Sequence, residues 1–180
     1  MPTNTPPTDR YSPRARWFHW AAFAFVALAY LFVNLRGYFP RGSGAGRTAM
    51  QSHFLFGLVV LALVLPRLLH RVRNTPPPVV PPLAGWESVL SQLTHVALYA
   101  FLLVQPLLGL LAVWASGPLK LPFIALQIPS PMTPDHALHE SIGHLHETIG
   151  EVFYYVIGLH IAAALWHHLY RRDNTLRRML

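Results

Sequence analysis

The sequence predicts an all-α integral membrane protein, a four-helix bundle whose successive helices cross the membrane up and down. Two observations support this prediction. Apolar residues make up 53% of the 180 residues and charged residues only 12%, about half of the roughly 25% charged fraction in an average soluble domain. The apolar residues are also gathered into four long runs, and each run can cover a hydrocarbon core that needs about 20 helical residues.

The four apolar runs define the predicted spans, and the loops between them are Gly/Arg-rich, Pro-rich and mixed in turn. The spans cover about 17–35, 52–69, 89–113 and 149–169. The fourth helix is expected to begin earlier, near His144. Pro106 and Gly109 lie inside the third run, where neighbouring helices can bond the carbonyl that a proline frees. Residues 1–180 are predicted to form one membrane domain.

The distribution of Lys and Arg predicts the direction of the helices. One side of the predicted bundle carries ten of these residues: Arg10, Arg14, Arg16, Arg67, Arg71, Arg73, Arg171, Arg172, Arg177 and Arg178. The other side carries four: Arg36, Arg41, Arg47 and Lys120. The positive-inside rule therefore places both termini in the cytoplasm and the first and third loops outside. In a bacterium this predicts a multi-pass inner-membrane protein whose outer loops face the periplasm.

Composition excludes several classes of protein. The absence of cysteine excludes disulfides, cysteine-held iron–sulfur clusters and covalent c-type haem. A net charge of +7 would suggest nucleic-acid binding in a soluble protein, but here the charges flank apolar runs, so no nucleic-acid partner is expected. The first fifteen residues lack the apolar stretch and cleavage site of a signal peptide, so the first span is expected to remain as a helix.

Histidines inside the spans are the candidate cofactor ligands, because an ionisable side chain in a membrane is costly and is a functional candidate by default. His146 and His160 are 14 residues apart on the fourth helix. At about 100° per residue they return nearly to one face, about 21 Å apart along the axis. Two ligands on one face at two depths suit two stacked haems.

Each of these haems needs a second axial ligand at the matching depth. The direction of the helices pairs His53 with His146 on the outer side and His19 with His160 on the inner side. These pairs predict two bis-histidine b-haem sites in the bundle. His95 lies in the inner third of the third span. Three roles are open for it: it could replace a ligand of the inner haem, bond a haem propionate or line a quinone pocket.

Blander interpretations remain for several residues. A lone histidine near a helix end, such as His19, can simply be hydrogen-bonded at the interface. His144 could replace His146, but its 16-residue separation from His160 puts the two about 160° apart around the helix. His136, His139 and His144 could bind a metal ion or be solvated loop residues. Small residues inside the second and fourth spans would admit a flat macrocycle or tighten helix packing; they are Gly57 and Gly158.

The sequence resembles the bacterial cytochrome b561 family over nearly its whole length, from Tyr11 to Met179. The matching stretches are FHW at 18–20, RGYFPR at 36–41, SHFLFG at 52–57, RLLHRVRNTPPP at 67–78 and HETIGEVFYYVIGLHIAAALWHHLYRRDNTLRRM at 146–179. The third loop matches more weakly. The resemblance implies a four-helix bundle with two b haems, and its ligand positions fall on His19, His53, His146 and His160.

The best-understood kind of member is a superoxide:ubiquinone oxidoreductase, and the resemblance implies the same activity here. An electron from periplasmic superoxide would pass through the haems to ubiquinone. The basic outer loops would attract the superoxide anion, although Asp135, Glu140 and Glu147 lie on the same side. The steering candidates are Arg36 and Arg41, with Arg47 and Lys120. The quinone-site candidates are His95, Glu87 and the inner arginines.

The alternative function is a cytochrome b membrane anchor that passes electrons between quinone and a separate dehydrogenase or hydrogenase subunit. A stand-alone protein is the favoured expectation, because no large soluble domain accompanies the spans and the chain stops at Leu180, shortly after the fourth span. The expected partners are membrane lipid, quinone and superoxide. The oligomeric state is left open, a monomer included.

Overall fold

The computed structural model describes residues 10–122 and 126–180, and the part of the chain that it describes is dominated by four long helices. The helices are α1 (Pro13–Arg36), α2 (Gly44–Arg73), α3 (Gly85–Ser116) and α4 (His136–Trp166). All four are long and apolar enough to cross a membrane. The predicted all-α fold with four spans is therefore confirmed. Residues 1–9, on which the signal-peptide prediction partly rests, lie outside the described residues.

Shorter elements complete the fold. A two-stranded antiparallel hairpin, β1 (Leu119–Lys120) and β2 (Gln127–Ile128), follows α3. A wider π-helical turn, His167–Arg171, continues α4, and a 3₁₀ turn covers Arg177–Met179. The hairpin lies in the loop that the sequence left without assigned structure, because strands of two residues are too short to produce a periodic pattern.

Each helix begins before the apolar run that predicts it, and polar residues in the loops cap three of the four helices. The Ser12 hydroxyl accepts a hydrogen bond from the amide of Ala15 at 3.3 Å. Ser43 Oγ accepts from the Gly46 amide at 3.1 Å. The Asp135 carboxylate accepts from Leu138 at 3.0 Å. Such caps satisfy amides that the helix itself leaves unpaired. They extend α4 to His136, earlier than the expected start near His144.

Successive helices pack side by side, so the chain runs up and down. The beginnings of α1 and α3 and the ends of α2 and α4 therefore meet at one end, called here the arginine-rich end. The opposite end is called the hairpin end. A small buried core of Val60, Val64 and Leu102 joins α2 to α3. None of the described residues of α4 is buried. Several of its side chains between Val156 and Trp166 border a cavity inside the bundle.

Candidate functional site

Four histidines meet in two pairs at two levels of the bundle. The ring centroids of His53 on α2 and His146 on α4 are 6.0 Å apart. Those of His19 on α1 and His160 on α4 are 6.4 Å apart. Two imidazoles that share one metal ion through bonds of about 2 Å each have centroids roughly 6 Å apart, because each ring adds about 1 Å from its nitrogen to its centre. Both separations fit an axially coordinated haem iron.

Backbone carbonyls orient the pair nearer the hairpin end. His53 Nδ1 donates to the carbonyl of Ala29 at 2.9 Å, and His146 Nδ1 donates to the carbonyl of Gln105 at 3.0 Å. Gln105 Nε2 donates in return to the carbonyl of His146 at 2.6 Å. Metal-binding histidines almost always donate their second ring N–H in this way, which fixes the tautomer and leaves the Nε2 lone pair for the metal.

Three glycines inside the spans differ in the space around them. A Cβ at Gly109 would lie 2.9 Å from Cε1 of His146, so only glycine leaves room for the ring in its place. A Cβ at Gly57 or Gly158 would meet no atom within 4 Å. Helix packing therefore does not require these two glycines. Gly57 lines a small cavity of about 40 Å³ together with His53 and His146.

A third histidine approaches the pair at the arginine-rich end. The His95 ring centroid lies 5.9 Å from that of His160, slightly nearer than His19. His95 Nδ1 donates to its own helix, at the carbonyl of Ser91, at 2.6 Å. Arg67 Nη2 lies 3.2 Å from His19 Nδ1. Both His19 and His95 can therefore face one metal ion opposite His160, and distance alone does not choose between them.

A cavity of about 1580 Å³ surrounds these three histidines. Pockets for drug-sized ligands occupy about 300–1,000 Å³, so this cavity can hold a cofactor and a second molecule. Among the described residues that line it, Glu87 is the only carboxylate, whereas several arginines line it: Arg10, Arg16, Arg67, Arg71 and Arg178. The cavity thus combines imidazole ligands with cations that suit the propionates of a haem. At both pairs the donor chemistry fits a haem, because two imidazoles lie at a metal-bridging separation.

The candidate steering residues lie at the hairpin end. Arg36 is the last residue of α1, and Arg41 follows in the first loop; both are exposed. In the described part of the chain neither forms an ion pair with a carboxylate. Lys120 is exposed on β1, and Arg47 donates to the carbonyl of Gly42 at 2.5 Å.

The outer histidine cluster is engaged in local contacts. His136 lies 3.5 Å from the Glu140 carboxylate, and His139 Nδ1 donates to the carbonyl of Ala112 at 2.7 Å. Over residues 10–122 and 126–180, no group of three or more His, Cys, Asp or Glu side chains is arranged to hold a metal ion. His144 lies 3.5 Å from Thr148, and it is His146 that faces His53.

Some site residues carry no signal in the sequence. The carbonyl partners of His53 and His146 belong to Ala29 and Gln105, and any residue type supplies a carbonyl. Gly109 could be noticed as a glycine within a span, but nothing in its spacing relates it to His146. At the arginine-rich end, His70 Nε2 lies 2.9 Å from Ser12 Oγ.

Comparisons with known proteins identify the family of the chain. The family model described as prokaryotic cytochrome b561 matches residues 10–180. The chain is 34% identical over 172 residues to cytochrome b561 homolog 1 of Escherichia coli K12, covering 96% of this chain and 97% of that protein. It is 30% identical over 171 residues to the probable superoxide oxidase CybB of Yersinia pestis, covering 95% and 96%. The resemblance drawn from the sequence is confirmed: the chain belongs to the prokaryotic cytochrome b561 family and is a bacterial membrane electron-transfer protein that binds haem b.

Proposed function

We propose that the chain takes electrons from superoxide at the hairpin end and delivers them to ubiquinone at the arginine-rich end, through two b haems. The observation that carries this proposal is the pair of histidine couples, His53–His146 and His19–His160, at metal-bridging separations and at opposite ends of the bundle. Haem iron supplies reversible one-electron chemistry. Two superoxide ions would yield two oxygen molecules and two electrons, and ubiquinone would take these electrons with two protons to form ubiquinol.

The orientation is part of the proposal. Ten Lys and Arg residues flank the arginine-rich end and four flank the hairpin end. The positive-inside rule places the arginine-rich end in the cytoplasm. The bacterial inner membrane then separates the two half-reactions, with superoxide arriving from the periplasm.

At the outer site, residues of the chain would orient the two imidazoles and attract the anion, and they would exchange no protons with it. The Ala29 and Gln105 carbonyls hold the two outer imidazoles in place. Leu119, which is 1% exposed, lines the same gap together with Pro106. Exposed arginines around the first loop would raise the local concentration of an anion. The printed name of the Yersinia relative, probable superoxide oxidase, supports superoxide as that anion.

Neutralising the steering arginines is expected to slow the reaction with superoxide. In the double variant Arg36→Gln and Arg41→Gln the second-order rate should fall about 2- to 10-fold at low ionic strength, because steering by charge raises on-rates by roughly 10-fold or more. The salt dependence of the rate should weaken as well. Arg172→Gln, an exposed arginine at the other end, is the matched control. Equal rates and equal salt dependence in the double variant and the parent would contradict this role.

At the inner site we propose that His95 lines the quinone pocket while His19 and His160 bind the haem. Arg67, which lies beside His19 in the structure, would turn its guanidinium to a haem propionate, because an iron-bound imidazole keeps its Nδ1 proton. The large cavity leaves space beside the haem for a quinone headgroup. Glu87, the carboxylate of the cavity lining, accepts a hydrogen bond from Arg171 Nη1 at 2.5 Å. It lies in the first turn of α3, at the arginine-rich end of the cavity.

The variant His95→Gln separates the two interpretations of this histidine. If His95 lines the quinone pocket, the variant keeps both haems, and the KM for ubiquinone rises while reduction of the haems by superoxide keeps its rate. Haem content is measured by pyridine haemochrome and turnover with a short-chain ubiquinone. Loss of one haem from this variant, with both haems retained in His19→Gln, would show instead that His95 is the ligand.

Stopped-flow mixing of the oxidised protein with superoxide tests the proposed function. Rapid haem reduction is expected, followed by reoxidation when ubiquinone is present. If superoxide leaves the haems oxidised while ubiquinol reduces them, the proposed donor is wrong, and an anchor that exchanges electrons with a separate subunit becomes the better account.

A further inference from the structure

The segment that follows α4, Arg172–Leu180, folds back across the arginine-rich end; it is called here the closing segment. Arg172 adopts a left-handed conformation, φ 55°, that reverses the chain. Asp173 is 2% exposed and lies 2.5 Å from His167 Nδ1. Burial by itself raises the pKa of the Asp173 carboxyl, but hydrogen bonds from His167 and Thr175 outweigh burial and bring the pKa below its usual value. The reversal is thus fixed around an ionised carboxylate.

The closing segment is bonded to the loop between α2 and α3. The Asn174 amide donates to the carbonyl of Val80 at 3.1 Å, and the Val80 amide donates to Asn174 Oδ1 at 2.8 Å. Arg178, which is 8% exposed, donates to the carbonyl of Pro77. These contacts join residues almost a hundred positions apart in the chain.

The same segment is bonded to the beginning of α1. The Tyr11 amide donates to the carbonyl of Arg178 at 3.0 Å. Trp20 Nε1 donates to the carbonyl of Met179 at 2.9 Å, and Arg16 donates to the carbonyl of Leu180. The closing segment therefore ties the end of α4 to the beginning of α1 and to the α2–α3 loop, across the end of the large cavity.

The two faces of the cavity consequently differ. Four residues of the closing segment line it on the side where the chain carries its arginines: Thr175, Leu176, Arg178 and Met179. Elsewhere its lining includes apolar side chains that are exposed on the spanning helices, such as Phe23 (46%), Leu159 (70%) and Trp166 (53%). Hydrogen-bonded residues of the closing segment thus line the cavity at the arginine-rich end, whereas apolar side chains line it along the spanning helices.

We propose that the closing segment decides which acceptors the inner site serves: it bars the aqueous mouth, so that electrons leave only to an acceptor dissolved in the membrane. The inference rests on the proposed function, because it takes His19 and His160 as ligands of the inner haem. An acceptor in water, whether a small ion or a soluble protein, meets the closing segment. A lipid-soluble acceptor approaches between apolar side chains without disturbing it.

The absence of cysteine from the chain allows a direct test by chemical labelling of the haem-loaded protein. Ser91→Cys places one thiol in the cavity lining. Arg73→Cys places one at the exposed end of α2, outside the cavity. Inverted membrane vesicles are treated with a charged, impermeant maleimide or with N-ethylmaleimide, which enters lipid. We expect both reagents to label the Arg73→Cys protein rapidly, and only N-ethylmaleimide to label the Ser91→Cys protein rapidly.

Loosening the closing segment should open the aqueous route alone. In the Ser91→Cys background, Trp20→Phe keeps an aromatic ring but removes the bond to Met179. The rate with the charged reagent should rise about fivefold, the factor by which loss of one hydrogen bond of about 1 kcal/mol shifts an open–closed equilibrium. Asn174→Ala, which removes the side-chain bonds to the α2–α3 loop, should raise this rate further. Neither variant should change the rate with N-ethylmaleimide or the haem content.

Two results would overturn the inference. The first is that the charged reagent labels the Ser91→Cys protein as fast as it labels the Arg73→Cys protein, although the closing segment is unaltered. The other is unchanged charged-reagent labelling in both Trp20→Phe and Asn174→Ala when haem content is retained. Labelling needs no turnover, so either result is distinct from failure of the superoxide reaction. If Arg73→Cys is labelled only in right-side-out vesicles, the orientation is wrong instead.

Discussion

His160→Ala is expected to lower the haem content from two per chain to one, and the haem that remains should be the one at the hairpin end. Under the proposed ligation, removal of the His160 imidazole would take away the inner haem's ligand on α4, whereas the outer pair of His53 and His146 keeps both its rings and their carbonyl partners. Haem per chain is measured by pyridine haemochrome against protein determined by amino-acid analysis.

Double variants test how the four histidines are paired. His19→Ala combined with His160→Ala removes two ligands of one site, so it should cost no more haem than His160→Ala alone. His53→Ala combined with His160→Ala removes one ligand from each site and should leave no bound haem. Equal haem content in the two double variants would contradict the pairing of His53 with His146 and of His19 with His160.

Gly109→Ala is expected to weaken or abolish the outer haem site while sparing the inner one. The added Cβ would lie 2.9 Å from the His146 ring, so the ring must leave the position in which its Nδ1 reaches the Gln105 carbonyl. A shift of this size at a metal ligand costs the geometry that two axial bonds require. The measurement is haem content together with the low-spin signals in electron paramagnetic resonance.

The same helix offers a matched control for this variant. Gly85→Ala lies at the start of α3, where an added Cβ meets nothing within 4 Å, so both haems should remain. If Gly109→Ala kept two haems with unaltered low-spin signals, the close approach of α3 to His146 would have no role in binding. If Gly109→Ala lost the inner haem instead, the assignment of His146 to the outer haem would be wrong.

The fold could be predicted from the sequence because its dominant signal is local. An apolar run of about 20 residues has few uses other than a membrane span, and all four runs occur within helices in the structure. The 14-residue separation of His146 and His160 also determines their relative positions in space, because both residues lie on one continuous helix. Together with the predicted direction of the helices, this separation predicts that His53 approaches His146 and that His19 approaches His160. The structure brings His95 to His160 as well.

The rest of the site depends on contacts between distant parts of the chain. The partners of His53 and His146 are backbone carbonyls on α1 and α3, and a carbonyl has no residue identity. The closing segment is short, polar and without periodicity, and it binds the backbone of Pro77 and Val80. Apolar runs alone predict helix starts that are too late, because Ser43 and Asp135 cap α2 and α4 within loops whose composition is not apolar.

The haem-to-protein ratio of the purified, unaltered chain tests the central claim most directly. Four histidines arranged as two metal-bridging pairs predict two haems per chain, both low-spin with bis-histidine ligation. A ratio of one haem per chain in fully loaded protein, or a high-spin haem with an open axial position, would contradict the four-ligand scheme.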